Sequence, residues 1–327
     1  MPWGGDMIGR IGMLAGIIMV LAGCVSENEA TDKEETRVMY DFDRAWNFND
    51  PAKTESTFRT LLSETDEPTG SEYVLALNTQ IARTLGLQQK FEAAHDQLDL
   101  VEKQIEPDQT VVKIRYLLER GRVLNSSGKK ADAVPFFLEA WELGLDVKAD
   151  YYAVDAAHML GIAATPEQQL IWNEKAVKLA EKSKDTRTQD WLGSLYNNIG
   201  WTYHDSQDYD KAMEVFMKAL AWREGKGQVS ETQIAKWCVA RTHRSLGNID
   251  QALDMQLALA KEMESAGQPA DGYVLEEIAE CLTTQGKPTE AASYFKRAWD
   301  ILSQDIWLQK NEGDRLARLK SLGELSS

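Results

Sequence analysis

The sequence predicts an all-α protein, an α-solenoid of about seven helical hairpins that ends in a C-terminal capping helix. Three observations lead to this fold class. Small and aromatic residues recur in a ladder at helical spacing, the copies follow a fixed period of about 40 residues, and turn or helix-start signals separate them. A period of about 20 to 50 residues with two helices per unit indicates stacked hairpins, because each hairpin buries its apolar face only against its neighbours.

The ladder is clearest around Ala212. Gly200 and Tyr203 lie twelve and nine residues before it, and Phe216 and Ala219 lie four and seven residues after it. Offsets of three, four and seven place side chains on one helix face, and small residues let two helices approach closely. Four further anchors have the same ladder with substitutions: Ala94, Ala133, Ala252 and Ala291. The pattern therefore predicts a helical hairpin at each anchor.

The anchor spacing predicts two more hairpins. The interval from Ala133 to Ala212 is about twice as long as the other three, so it spans two periods. Residues 151–182 supply two helical stretches around a Thr-Pro pair, but they lack a small anchor and their register stays open. Upstream, Thr54 lies one period before Ala94 and follows an Asp-Pro pair that marks a helix start.

This small-aromatic-small ladder resembles the tetratricopeptide repeat family over about residues 40–302, with the Gly200 unit as the best match. The unit here is longer than the family's usual one, and "LYNNIGWTY" is similar to the repeats of kinesin light chain. The resemblance implies that the first helix of each hairpin lines a concave groove for a protein or peptide partner. We place the solenoid at residues 38–302 and the capping helix at residues 303–327.

The N-terminus has the pattern of a secretory signal. In "MIGRIGMLAGIIMVLAGC", a basic Arg10 precedes an apolar stretch and then small residues that lead to Cys24. The last four residues resemble the bacterial lipobox, which implies cleavage before Cys24 and a diacylglycerol on its thiol. An uncleaved membrane helix is the alternative, but it needs about 20 apolar residues. We predict a signal peptide at residues 1–23, with translation starting at Met1 or Met7.

Residues 24–37 are predicted to be a lipidated cysteine and an acidic tether. The stretch is too polar to bury enough surface to fold. The sequence thus predicts a bacterial envelope protein that a lipid anchors to a membrane, with its domain in the periplasm or exposed at the surface. By enterobacterial sorting habit, the absence of Asp directly after Cys24 favours the outer membrane.

The resemblance also selects candidate partner-binding residues. Side chains one helical turn from the buried ladder face the predicted groove, and they include arginines, tryptophans and paired asparagines. The candidates are Arg83, Arg115, Arg122, Asn197, Asn198, Trp201, His204, Trp237, Arg241 and Arg244. Arginine pairs with carboxylates, and exposed indole faces accept apolar or sugar groups. In the alternative interpretation, the arginines pair with acidic residues of neighbouring helices and both tryptophans pack between hairpins.

Composition and motifs argue against several function classes. The formal net charge of -16 disfavours a nucleic-acid binder, which needs surplus Lys and Arg. The four histidines fall on different units without metal-ligand spacing, and no catalytic or phosphate-binding motif occurs. We therefore predict no metal, no cofactor and no enzyme activity.

Cys238 and Cys281 are predicted to be buried thiols, with a disulfide between them as the alternative.

The sequence favours two binding functions over two others, a cryptic hydrolase and a spacer without a binding role. The first is a lipid-anchored envelope scaffold that binds a partner protein in the groove of its repeats, for example in envelope assembly. The second is a binding protein for glycan or peptidoglycan that uses Trp201 and Trp237 as stacking platforms. Exposure of the two indoles discriminates between them.

Lipidation at Cys24 can be tested by metabolic labelling with an alkyne-bearing fatty acid. We expect the full-length chain to take up the label and Cys24→Ser to lose it, because serine has no thiol to accept the diacylglycerol. Cys238→Ser is the matched control and should keep the label. Retention of the label by Cys24→Ser would show that the lipobox assignment is wrong.

Overall fold

The computed structural model describes residues 40–324, and the regular elements within that range are all helical. The predicted all-α solenoid is confirmed for these residues. Between residues 40 and 324, no helix is both long and apolar enough to cross a membrane. The signal peptide predicted at residues 1–23 and the tether predicted at residues 24–37 lie outside the described residues.

The helices pair into seven consecutive repeats. The first helices, of which that of repeat 1 is a short 3₁₀ helix, are Asp41–Ala45, Glu72–Leu87, Thr110–Ser126, Asp150–Ala163, Leu192–Asp205, Val229–Ser245 and Gly272–Thr284. The second helices are Pro51–Glu64, Phe91–Glu102, Lys130–Asp146, Pro166–Lys182, Tyr209–Gly225, Ile249–Ser265 and Pro288–Leu302. A short helix, Thr186–Gln189, lies in the connection between repeats 4 and 5.

The chain divides into two compact units. Unit 1 ends at Ile199 and unit 2 begins at Gly200, so the division falls within the first helix of repeat 5. In unit 1, one continuous apolar core extends from Phe42 to Ala163. In unit 2, the second helices of repeats 5 and 7 each contribute a fully buried phenylalanine.

The seven anchors follow an even period of about 40 residues. They are Thr54, Ala94, Ala133, Asn173, Ala212, Ala252 and Ala291. None of the seven is more than 2% exposed. The residue four positions after the anchor is also buried in every repeat except repeat 4. The ladder thus marks the core face of each second helix, and the predicted number of repeats is confirmed.

A glycine and a phenylalanine interlock in repeats 3 and 5. A Cβ atom on Gly121 would lie 2.5 Å from the Phe137 ring, and one on Gly200 would lie 2.5 Å from the Phe216 ring. Both rings are fully buried. Cores are packed too densely to absorb such an overlap, so only glycine lets the ring lie against the first helix. Each ring fills the space between the two helices of its hairpin.

The repeat whose register stayed open in the sequence has the same geometry with a different chemistry. Asn173 takes the anchor position and is 2% exposed. Its side chain faces Gly161, twelve residues earlier, because a Cβ atom on that glycine would lie 2.5 Å from Asn173 Oδ1. A polar anchor hides this register from a search for small residues.

Repeat 6 departs from the ladder in the opposite direction. Gln256 stands where repeats 3, 5 and 7 have phenylalanine, and it is fully buried. Neither its amide oxygen nor its amide nitrogen has a hydrogen-bond partner within the described part of the protein. A buried amide without a partner costs roughly 1–3 kcal/mol. Gln256 is therefore a weak point in the packing of unit 2.

The C-terminal tail forms two helices, Ile306–Asn311 and Gly313–Gly323, where the sequence suggested one. The second of them packs against Pro288–Leu302, the last helix of repeat 7. The two helices approach closely at Gly323, where a Cβ atom would lie 2.8 Å from the Cα atom of Lys296. The capping role of residues 303–327 stays a prediction.

The register of repeat 4 can be tested by the coupling of two substitutions. Gly161→Ala should lower the free energy of unfolding by about 1–3 kcal/mol, because the new methyl group overlaps the Asn173 amide. In the Asn173→Ala background most of that cost should disappear, because the methyl group then meets a small residue. Urea unfolding followed by circular dichroism measures both values.

Gly225→Ala is the control for helix propensity, since no neighbouring atom lies within 4 Å of the added Cβ atom. It should leave the unfolding midpoint unchanged or raise it slightly. Equal costs of Gly161→Ala in both backgrounds would show that Asn173 is not the anchor.

Candidate functional site

Arginines of repeat 6 pair with a glutamate of repeat 7. Arg241 Nε lies 3.0 Å from Glu277 Oε1, and Arg244 Nε donates to Glu277 Oε2 at 2.7 Å. Arg244 Nη2 also donates to Glu277 Oε1 at 2.9 Å, so one carboxylate binds two guanidinium groups. Both arginines were candidate partner-binding residues. They have intramolecular partners instead, as the alternative interpretation predicts.

The same sequence separation between an arginine and its glutamate recurs in unit 1. Arg83 Nη1 lies 3.6 Å from Glu119 Oε1, and these two residues are as far apart in sequence as Arg241 and Glu277. Arg122 binds Asp155, and it also donates through Nη1 to Glu119 Oε1 at 2.5 Å. The even repeat period explains these pairs. The position one period after the arginine is its equivalent on the next first helix, and the acidic residue one helical turn before that position lies beside the arginine.

The predicted exposure of the two tryptophans is wrong. Trp201 is 2% exposed and Trp237 is 8% exposed, with their ring centroids 5.8 Å apart. Trp237 Nε1 donates to the backbone carbonyl oxygen of Tyr273 at 3.2 Å. His204 is also buried, and its Nε2 lies 2.9 Å from Ser245 Oγ. These rings fill the space between first helices, so they offer no open face on which a sugar could stack.

The asparagine pair lies in unit 1, at its boundary. Asn197 is 5% exposed, and Asn198 Nδ2 lies 3.3 Å from Nδ1 of His158. Burial lowers the pKa of His158 to about 4, so its ring is neutral at pH 7 and can accept this hydrogen bond. Both amides therefore belong to the packing of first helices.

A narrow cleft lies among the first helices of repeats 1 to 4, within unit 1. Its cavity volume is about 40 Å³, which is room for a few water molecules. The aromatic residues that line it are Trp46, Phe48, Tyr151 and Tyr152. The charged residues that line it are Asp43, Arg83, Arg115, Glu119, Asp155 and Arg187. Two of the candidate residues, Arg83 and Arg115, therefore meet in one site.

The first repeat closes one side of the cleft. Arg115 Nη2 lies 2.5 Å from Asp43 Oδ1, and Arg115 Nη1 donates to the Tyr152 hydroxyl at 2.5 Å. Only 3% of Arg115 is exposed. Burial by itself would lower the pKa of Arg115, but Tyr152 and Asp43 raise it, so the guanidinium stays charged. Arg115 joins repeats 1, 3 and 4 through Nη1 and Nη2, and its buried Nε has no hydrogen-bond partner among the described residues.

Aromatic rings of repeat 1 form a second wall. The Trp46 and Phe48 rings are stacked with centroids 4.6 Å apart, and the Arg83 guanidinium carbon lies 5.4 and 5.2 Å from them. Trp46 Nε1 donates to Gln80 Oε1 at 3.1 Å, which orients the indole. Arg83 is thus held by cation–π contacts and one long ion pair.

Another part of the cleft wall is an arginine from the connection between repeats 4 and 5. The Arg187 guanidinium carbon lies 4.0 Å from the centroid of the Tyr151 ring. Asp185 caps the short helix Thr186–Gln189 by accepting the Arg187 backbone N–H, which fixes the start of the segment. A longer connection here therefore adds a cation to the cleft.

Arginine pKa values show which cations are compensated. Burial lowers the pKa of Arg83, and the neighbouring positive charge of Arg122 lowers it further. For Arg122, Asp155 and Glu119 outweigh burial and raise the pKa. Among Arg83, Arg115 and Arg122, Arg83 therefore has the weakest anionic support.

Several cleft residues escaped the sequence analysis. Asp43, Trp46, Phe48, Tyr151, Asp155 and Arg187 were not among the candidates. The signal for Asp43 was present, because it lies eleven residues before anchor Thr54, as Arg83 lies before Ala94. Arg187 had no such signal, since it lies in a connection that has no counterpart in the other repeats.

The two cysteines of the described residues are buried thiols, and no metal-ligand cluster is found within the same range. Cys238 and Cys281 are free and buried, and burial raises the pKa of their thiols to about 12 and about 11. Within residues 40–324, no group of three or more His, Cys, Asp or Glu side chains is placed to hold a metal ion.

Comparison with known proteins supports the class that the fold defines. Residues 193–226 match the family model of the tetratricopeptide repeat. No curated protein matches the chain by sequence. The chain therefore contains a tetratricopeptide repeat within a tetratricopeptide-like solenoid.

Solved structures share this fold at low sequence identity. The apo form of RapI has a TM-score of 0.62 at 12% identity, over 78% of this chain and 72% of that chain. A signal transduction ATPase with a tetratricopeptide repeat sensor, from Pyrococcus horikoshii, has a TM-score of 0.62 at 14% identity, over 85% and 42%. NprR in complex with its cognate peptide NprX has a TM-score of 0.52 at 16% identity, over 84% and 79%. Likeness at this identity shows the fold alone.

The ion pairs between repeats can be tested at Glu277. Glu277→Gln should lower the free energy of unfolding by about 1.5–3 kcal/mol, because it leaves two largely buried guanidinium groups without their carboxylate. Glu214→Gln is the control in the same unit, because its pair with Lys218 is exposed, and it should cause no measurable change. Similar urea midpoints for the two variants would show that the buried pair has no structural role.

Proposed function

We propose that this chain is a lipid-anchored scaffold of the bacterial envelope that binds a protein or peptide partner at the unit 1 cleft. The observation that supports the site is the convergence of Arg83, Arg187 and aromatic walls on the first helices of repeats 1 to 4. First-helix residues elsewhere in the chain, such as Arg241 and Trp237, are engaged by their neighbours. The cleft is therefore the best place for a partner among the candidates.

The tetratricopeptide-like fold supports a binding role. Stacked hairpins present their first helices side by side, which suits an extended segment that contacts several repeats at once. The similar fold of NprR was solved with a peptide bound. Clustered arginine and aromatic side chains are also enriched at the energetic centres of protein interfaces.

The predicted tether supports an envelope location. Cys24 lies nineteen residues before Asp43 of the cleft, and the intervening stretch is acidic and poor in apolar residues. An extended chain spans at most about 3.6 Å per residue, so the cleft would lie within about 70 Å of the lipid. A partner bound there would be held close to the membrane.

Site-specific photocrosslinking in intact cells tests this function. A photoreactive phenylalanine analogue at Phe48 places the reactive ring in the cleft with little change of shape. We expect it to capture a discrete envelope protein or peptide, which mass spectrometry then identifies. The matched control is the same analogue at Leu100, which is 54% exposed on a second helix. Identical products from both positions, or none from Phe48, would contradict the proposal.

A further inference from the structure

The charged cluster at the unit 1 cleft has more cations than anions. Three arginines and three carboxylates line the cleft: Arg83, Arg115, Arg187, Asp43, Glu119 and Asp155. A fourth guanidinium, that of Arg122, pairs with Glu119 and Asp155 from outside the lining. His158 on the same first helix as Asp155 is neutral at pH 7 because burial lowers its pKa. The cluster of the lining residues and Arg122 therefore holds one positive charge that none of its side chains neutralises.

The uncompensated charge lies on the Arg83 and Arg187 side of the cleft. Arg115 and Arg122 are held at 2.5 Å by Asp43 and Glu119, whereas the closest carboxylate oxygen to Arg83 is 3.6 Å away. Within residues 40–324, Arg187 forms no ion pair with a carboxylate and rests on the Tyr151 ring. A guanidinium that lies on an aromatic face keeps its N–H edges available for an anion.

The cleft also has an unused acceptor. Glu119 Oε2 is buried and accepts no hydrogen bond from the described residues, although Oε1 of the same carboxylate pairs with Arg122. A buried charged oxygen without a donor costs free energy, so a ligand that supplies a donor gains affinity. The three carboxylates repel a dianion such as phosphate, and the cavity of about 40 Å³ excludes bulky groups.

We infer that the cleft is a binding site for a small monoanionic carboxylate that has an adjacent N–H or O–H group. Arg187 and Arg83 bind the carboxylate through their N–H edges, and Glu119 Oε2 accepts the hydrogen bond from the adjacent donor. Arg187 acts as the specificity residue, because it enters the cleft from the connection after repeat 4. The inference deepens the proposed function, since it states which chemical group of a partner the cleft recognises.

The test uses the purified full-length chain and small probes, observed through the arginine Nε–Hε signals in nuclear magnetic resonance spectra. N-acetylglycine supplies a carboxylate and an N–H, and N-acetylglycinamide is the uncharged control. We expect N-acetylglycine to shift the Arg187 and Arg83 signals in a saturable manner and N-acetylglycinamide to leave them in place. Acetyl-triglycine distinguishes the sources of this group: tighter binding than N-acetylglycine indicates a peptide end, and equal binding indicates a free small acid.

Single substitutions show which arginine binds the carboxylate. Arg187→Gln should weaken N-acetylglycine binding by about tenfold, because a charge-assisted hydrogen bond is lost. Arg187→Lys should keep part of the affinity. Arg59→Gln is the control in the same unit, because that side chain is half-exposed and pairs with Glu55 outside the cleft. Unchanged binding in Arg187→Gln, or equal shifts with the uncharged amide, would overturn the inference.

The outcomes separate this inference from the proposed function. Capture at Phe48 together with no response to N-acetylglycine would leave the scaffold in place and refute the carboxylate site. A specific response to N-acetylglycine with no capture at Phe48 would support the site and refute the partner-binding scaffold. Circular dichroism of each variant shows that a loss of binding is not a loss of fold.

Discussion

A close approach between a small residue on the first helix and a large side chain on the second shapes the hairpins of this protein. Gly121 and Gly200 show the constraint most directly, because even a methyl group there would overlap a buried phenylalanine ring. Repeat 4 keeps the same approach with Gly161 and Asn173. Because the repeats keep an even period in sequence, equivalent side chains of neighbouring regular repeats line up.

The alignment of equivalent side chains explains why the first-helix arginines of an acidic protein find partners within the chain. An arginine eleven residues before one anchor lies beside an acidic residue of the next repeat, as in Arg83 with Glu119 and Arg241 with Glu277. Unit 2 extends this network beyond the regular positions. Arg244 also pairs with Glu277, and the tail arginines Arg315 and Arg318 pair in the reverse direction with Glu276 and Glu280 of repeat 7.

The cleft of unit 1 exists because two segments depart from the regular repeat. Repeat 1 has only a 3₁₀ helix in place of a full first helix, so Trp46 and Phe48 can turn toward Arg83. The connection after repeat 4 has an additional short helix that brings Arg187 to Tyr151. Neither segment is part of the core ladder. The regular repeats supply Arg83, Arg115, Glu119 and Asp155, and the irregular segments add the aromatic wall and Arg187 that distinguish this site.

The sequence by itself determined the all-α class, the seven repeats and the buried faces of the second helices in six of them, because helical periodicity and the fixed repeat length are local properties of the chain. Only the tertiary structure decided which polar side chains remain available. Trp201 and Arg115 stand at positions that a sequence pattern assigns to a groove, yet both are buried by residues from other helices. Arg187 reaches the cleft from a connection without any pattern. The reason is that a residue's exposure depends on partners far away in the sequence, which periodicity does not encode.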